Sequence, residues 1–364
     1  MSDLRVGFVT GTEDFWRHYL VAAKQGVQRL SGAATPDVYA LPRFLGDRCS
    51  FLRSGGSISA SAFDLIFCEL NGGETQLEYL DSLVSAQAPP VAVVPGPPEI
   101  ICSRLTDHKL RLVRRILLNA RFVLAYSDAI ASFYDGLIAH PRSQVIPWPF
   151  DYDATRRLAG TTTNTAETIK IVLNVPLRFG GWARNYPFVL KAALTDALAP
   201  LSPEERQRFS FHSFVYADED RDAFTRSGFA EGLQVTLEPQ RLYASFVRFL
   251  ASCDAVVNLT ASSVLGRITF LAAALDKPGL FTANAEINSR LYPGSAVSLL
   301  APTALREALA ALLSGLVRRD VPARFMPDSI ATRSTGDFRA NAHTFAGVFS
   351  ELLDLRRQAS QPPT

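Results

Sequence analysis

Two short stretches of this chain carry residue types suited to the charge of a diphosphate. In "LNVPLRFGGWARN", Arg178 and Arg184 bracket a Gly-Gly pair after an apolar run. A nucleoside diphosphate leaving a sugar develops negative charge. Without a bound metal, cations and helix N-termini must meet that charge. Arginine suits the task because its planar fork grips phosphate oxygens two at a time. In "TASSVLGR", Thr260, Ser262 and Ser263 supply hydroxyls, Gly266 lets backbone approach a ligand closely, and Arg267 opens a helical pattern. Each stretch also has a plainer reading: a solvated turn with surface arginines in the first, a helix N-cap in the second. A capped N-terminus can still receive an anion, so the two readings of the second stretch are compatible.

Carboxylates at strand ends are the candidates for proton transfer. The turn "TGTEDFWRHY" follows the first apolar run and carries Glu13 and Asp14. A carboxylate there could take the proton of an attacking hydroxyl. His18 follows Asp14 by four residues, one helical turn on. The same acids would equally serve as the dipole-favoured first turn of a capped helix. Glu69 closes "FCEL", where a carboxylate is either desolvated at a site or turned into a loop. Glu238 closes "VTLEP", where it meets a base or ribose or is a solvated turn residue. His108, His140, His212 and His343 are scattered and read as structural. No HxH or HExxH arrangement is present, and neither a metal nor a resident cofactor is expected.

These residues need elements to hold them. At 364 residues, 48% hydrophobic and 20% charged, the chain is globular and long enough for two domains. A net charge of +2 is no nucleic-acid footprint, which would concentrate far more Lys and Arg. Cys49, Cys68, Cys102 and Cys253 form no CxxC pair. The last three lie in or beside apolar runs, as buried free thiols do in a reducing cytoplasm. The start "MSDLRVGFVTG" enters a strand at once, without the pattern of a leader, and no apolar run approaches about 20 residues. Peripheral membrane contact is left open.

Short apolar runs alternate with helical patterns, the signature of parallel sheets with crossover helices. "RVGFVTG", "DLIFCEL", "PVAVVPG", "RFVLAYS" and "SQVIPWPFDYD" predict strands of a first half, with helices at about 15–30 and over "DHKLRLVRRILLNA". The small polar run 156–168 reads as a hinge. "IKIVLNVP", "RFSFHSFVY", "LQVTLEP", "DAVVNLT" and "GLFT" predict a second set, with helices at about 187–198, 241–252, 268–276 and 303–316. The expected domains are 1–160 and 161–335, followed by a helix and frayed tail at 336–364 that could return to the first. Two such halves place a cleft between rows of strand ends, suited to two substrates.

The motifs resemble those of GT-B-fold, retaining, family-4-like (group 1) glycosyltransferases. "ARFVLAYSDAIASFYDGL" and "QVIPWPFD" stand where that family has a strand-helix-strand unit ending in aspartate, here Asp151. Arg178 falls near the family's phosphate-binding arginine and Arg184 where its lysine stands. "RLYASFVRFLASCDAVVNLTAS" matches the segment leading into the donor loop, and "LAAALDKP" stands for "EAMA-x-G-x-P". The positions of the family's E-x7-E pair hold Ser263 and Leu271, its Pro-Ser is Leu259-Thr260, and its Gly is replaced within Asp276-Lys277. The resemblance implies an α/β fold of two Rossmann-like domains facing a central cleft. It implies acceptor binding in the first domain, and in the second a nucleotide-sugar donor held by Arg178, Arg184, Glu238, Thr260, Ser262, Ser263, Gly266 and Arg267. The activity implied is metal-independent transfer of a sugar to a saccharide, lipid or protein. Position at strand ends, not the resemblance, makes Asp14, Glu13 and Glu69 the candidate catalytic carboxylates, with Asp14 or Glu13 as base if transfer inverts; a retaining route needs no such base. A sugar epimerase and a silent GT-B binding module are the alternatives.

Overall fold

The computed structural model describes residues 5–10, 49–53, 62–70, 73–86, 89–96, 98–102, 106–146, 150, 152–160, 167–174, 187–215, 218–239, 241, 243–259 and 267–336. The chain divides into two compact units, Met1–Asp151 with Thr335–Thr364, and Tyr152–Ser334.

The first unit is built on six parallel strands: β1 (Val6–Thr10), β2 (Cys49–Arg53), β3 (Leu65–Leu70), β4 (Val91–Pro95), β5 (Phe122–Ala125) and β6 (Ser143–Val145). Their spatial order is β2-β1-β3-β4-β5-β6. β4 is buried throughout and β3 everywhere except Glu69. Such continuous apolar runs are what strands covered on both faces require. Four helices are described: α1 (Glu74–Ser85), α2 (Pro98–Cys102), α3 (Asp107–Asn119) and α4 (Asp128–Ile138). α3 buries Leu112, Val113, Ile116 and Leu117, an i, i+1, i+4, i+5 stripe, and begins at Thr106, whose hydroxyl accepts from Lys109 N at 3.3 Å. Its last carbonyls are met by Arg142, which donates to the carbonyls of Leu118 and Ala120, the latter at 2.9 Å. In α4 the buried Tyr134 donates to the Gly96 carbonyl at 2.7 Å, tying that helix to the end of β4.

The second unit contains β7 (Ile169–Leu173), β8 (Phe209–Val215), β9 (Val235–Pro239), β10 (Ala255–Asn258), β11 (Gly279–Thr282) and β12 (Ala296–Val297). Their order is β12-β11-β10-β7-β8-β9, again parallel. The helices are α5 (Tyr152–Ala159), α6 (Pro187–Leu198), α7 (Pro203–Gln207), α8 (Asp218–Arg226), α9 (Tyr243–Ala251), α10 (Arg267–Ala274), α11 (Glu286–Leu291), α12 (Pro302–Arg318) and α13 (Ser329–Gly336). One apolar core joins β7, β8 and β10 to α6 and α12 through Ile171, Leu173, Leu194, Phe211, Val257, Leu309 and Leu313.

Residues 156–159, read from sequence as part of a hinge, instead close helix α5. Thr155 and Ala159 are buried, and α5 packs on α9 and α10. Its Arg156 donates from Nε to the Ala274 carbonyl at 2.8 Å, satisfying an end group of α10. That end is a Schellman motif: Asp276 N donates to Ala273 O, Lys277 N donates to Ala272 O, and Pro278 follows. Asp276 adopts a left-handed φ of 51° to close it. This is where the resembling family carries glycine, and a short polar side chain is the next most tolerant choice.

Cys68 and Cys253 are buried free thiols as expected, with burial pushing Cys253 up to about 12, but Cys102 is exposed at the end of α2. The expected helices at 15–30 and 337–358 lie outside the described residues. No helix among the described residues is long and apolar enough to cross a membrane.

The left-handed turn yields a stability test. Asp276→Gly is expected to be neutral or stabilising in urea unfolding, because the 3.7 Å pair with Arg156 is exposed and contributes little. Asp276→Val should cost about 1–2 kcal/mol, since a β-branched side chain resists positive φ.

Candidate functional site

Open parallel sheets bind ligands beyond the carboxyl ends of their strands, where the strand order reverses. In the second unit that reversal falls between β7 and β10. The two strand ends are stitched together: Asn174 N donates to Val257 O at 2.9 Å, and Asn174 Nδ2 donates to Asn258 Oδ1 at 2.9 Å. Asn258 is 0% exposed, and its own Nδ2 has no hydrogen-bond partner among the described residues.

Two segments follow these ends in sequence, 175–186 after β7 and 260–266 after β10. They hold Arg178, Arg184, Thr260, Ser262, Ser263 and Gly266, all of which lie outside the described residues. What the structure fixes is their anchorage. The second loop enters α10 at Arg267, whose backbone opens the helix and whose side chain is outside the description. The first turn of α10 is held by a buried polar relay. Thr269 Oγ1 donates to Asn288 Oδ1 at 2.8 Å, and Asn288 Nδ2 donates to the Thr282 carbonyl, the last residue of β11, at 2.9 Å. The N–H groups that open α10 have no intrahelical acceptor, and the relay fixes where they stand relative to β10 and β11. Leu271, at the second glutamate position of the resembling family, is 1% exposed. A carboxylate there would be desolvated.

Glu238, at the end of the edge strand β9, is buried within a polar cluster rather than solvated in a turn. Its Oε1 accepts from His212 Nδ1 at 2.9 Å and its Oε2 accepts from Arg241. A carboxylate can only accept, so Nδ1 of His212 carries a proton, and Nε2 stands 3.1 Å from the Ser210 hydroxyl. Arg241 stacks over the Phe249 ring at 4.8 Å. Burial opposes the charged carboxylate, but the hydrogen bonds from Arg241 and His212 and their charge outweigh it, holding Glu238 below the ordinary carboxyl range. His212, read from sequence as structural, is one wall of this cluster.

In the first unit the strand order reverses between β1 and β3. Glu69 stands at the penultimate position of β3, half-buried, with its carbonyl accepting from Gln76 Nε2 at 2.7 Å. It therefore lies at the edge where this sheet would receive a ligand. Glu13 and Asp14 follow β1 in sequence and lie outside the described residues. Among the described residues, Glu74, Glu78 and His108 bring ligand atoms within 4.8 Å of one another on the exposed faces of α1 and α3. The Lys109 ammonium already stands 3.6 Å from Glu74.

Asn174 and Asn258 escaped the sequence reading. The available signal was a carboxamide closing each of two apolar strands, "KIVLN" and "AVVN". Only the strand order makes those two ends neighbours.

No family model and no curated protein matches this sequence. Solved structures do. HepE of Anabaena, in complex with UDP and glucose, aligns with a TM-score of 0.63 at 16% identity, over 96% of this chain and 100% of that one. Sucrose-phosphate synthase from Thermosynechococcus elongatus aligns with a TM-score of 0.67 at 13% identity, over 97% and 100%. A trehalose-6-phosphate synthase, studied for glycosyl transfer with retention, aligns with a TM-score of 0.62 at 10% identity, over 95% and 99%. The fold is the GT-B glycosyltransferase fold. Both Rossmann-like units of the GT-B plan are present, the first in flavodoxin-like strand order and the second in Rossmann order.

The Glu238 cluster gives a pH test. A carboxyl with a lowered folded value contributes stability that is complete above its ordinary value of 4.5 and lost as pH falls through the folded value. Glu238→Gln should destabilise the protein by roughly 1–3 kcal/mol at pH 7. In urea unfolding the gap from the unsubstituted protein should close as the pH is taken from 5 down towards about 2.

Proposed function

We propose that this chain is a glycosyltransferase that moves a sugar from a nucleoside-diphosphate donor to a saccharide, lipid or protein acceptor without a metal. The observation that carries this reading is the reversal point of the second sheet. There, the buried Asn258 and the half-buried Asn174 join the strand ends that the arginine-bearing and hydroxyl-bearing segments follow in sequence. A nucleotide's diphosphate belongs at such a point, beside a helix N-terminus and arginines. UDP is the nucleotide of choice: HepE structures hold UDP, UDP-glucose, or UDP with glucose, and an aligned E. coli protein holds UDP-2-fluoro glucose. The first unit then binds the acceptor, with Glu13, Asp14 and Glu69 as the carboxylates at its ligand edge.

Calorimetry with UDP, GDP, ADP, CMP and dTDP tests the donor site. UDP should bind, chelator should leave its affinity unchanged, and Arg178→Ala or Arg184→Ala should weaken it about 10- to 100-fold, as loss of a charge-assisted contact does. Flat responses to all five nucleotides would overturn the proposal in favour of a silent binding module.

The acceptor carboxylates need a separate readout. With transfer by inversion, one of Asp14→Asn, Glu13→Gln and Glu69→Gln should lower kcat about 10²- to 10⁴-fold while leaving UDP affinity intact. NMR of the product's anomeric configuration, read alongside, decides their role: retention with all three variants fully active removes them from the chemistry.

A further inference from the structure

We propose that Asn258 is a ligand residue of the donor site, donating its free amide N–H to an oxygen of the bound nucleotide's diphosphate. The inference rests on the donor-binding reading above and adds a residue that the E-x7-E comparison does not contain. Asn258 closes β10, three of whose four residues are Ala255, Val256 and Val257, and is 0% exposed. A buried carboxamide is retained at such a position only when its polar atoms find partners. One does: Oδ1 accepts from Asn174 Nδ2 at 2.9 Å. The other, Nδ2, has no partner among the described residues. The unmatched donor stands where a Rossmann sheet receives its ligand, and the loops leaving both strand ends carry Arg178, Arg184 and three hydroxyls. Those residue types suit anionic oxygens, and an N–H is a group that matches them.

Asn174 has a distinct task in this arrangement. A carboxamide can turn over, presenting either N–H or carbonyl. By donating to Oδ1, Asn174 holds the Asn258 carbonyl on its own side and leaves the N–H for the ligand. Asn174 is thus a positioning residue, and Asn174→Asp should reverse the arrangement. An aspartate must accept from Asn258, which turns the carbonyl towards the diphosphate.

Titration of the full-length protein with UDP and with uridine, by calorimetry and NMR, tests both assignments. Asn258→Leu should weaken UDP about 10- to 100-fold, the range of a hydrogen bond to a charged group, and leave uridine within about twofold. Asn258→Asp should weaken UDP further through like-charge repulsion, again sparing uridine. Asn174→Asp should lower UDP affinity without itself touching the ligand, with Asn174→Gln recovering part of the loss. Should Asn258→Leu fold poorly, the Asn174→Leu/Asn258→Leu pair removes donor and acceptor together. Its melting temperature should match or exceed that of the unsubstituted protein while UDP binding stays weak. The proposal is overturned if the Leu variants bind UDP normally, or if UDP and uridine weaken by the same factor, which marks mere loop support. An unsubstituted protein that binds no nucleoside diphosphate removes the donor reading and this proposal with it. Normal binding by the protein and its Leu variants removes this proposal alone.

Discussion

A parallel sheet cannot return its chain without a crossover, and a crossover can pass over either face. Where successive crossovers change direction, neighbouring strand ends send their loops apart and leave a crevice that no secondary structure fills. That constraint governs the second unit. The order β12-β11-β10-β7-β8-β9 makes β7 and β10 neighbours although 81 residues separate Leu173 from Ala255. Everything assigned to the donor site follows from this adjacency: two strand ends side by side, the bridge between Asn174 and Asn258, and the position of α10.

Around that crevice the fold spends its buried polar groups on placement. The Thr269–Asn288–Thr282 relay sets the beginning of α10 against β11, while Arg156 and the turn at Asp276 finish its other end. A helix held at both termini leaves little freedom in where its first N–H groups stand, and electrostatic stabilisation of a leaving diphosphate depends on such preorganisation. The Glu238 cluster at the far edge strand differs in kind. Both of its carboxylate oxygens are engaged by His212 and Arg241, and it joins β8, β9 and the aromatic Phe249 into one wall.

Most of the sheet architecture could be read from composition. β1, β3, β4, β5, β7, β8, β10 and β11 are short apolar runs, and their burial on both faces is what such runs imply, while the edge strand β9 buries Glu238 alone. β2 and β12 escaped because "CSFLR" and "AV" are too short and too mixed to announce an edge strand. α8, "DEDRDAFTR", escaped because its charge obscures the apolar period; its Phe224 lies in the core. At the site, sequence located the loops and not their partners. Glu238 was legible as a strand-end acid, but its engagement by His212, 26 residues away, depends on the register of β8 against β9. Cys102 follows Ile100 and Ile101 like a core thiol, yet lies at the last position of a five-residue helix, where periodicity decides nothing.

The turn that ends α10 has a bearing on how this chain relates to its structural neighbours. Recognition of a family by its spelling depends on letters such as the glycine before a proline, whereas the backbone at Asp276 needs only a residue that accepts a φ of 51°. Aspartate and glycine codons differ by one base, so the letter can drift while the torsion stays. At such places a written signature can be lost and the backbone shape kept, and this chain shares its fold with solved structures at 10–16% identity over nearly its whole length.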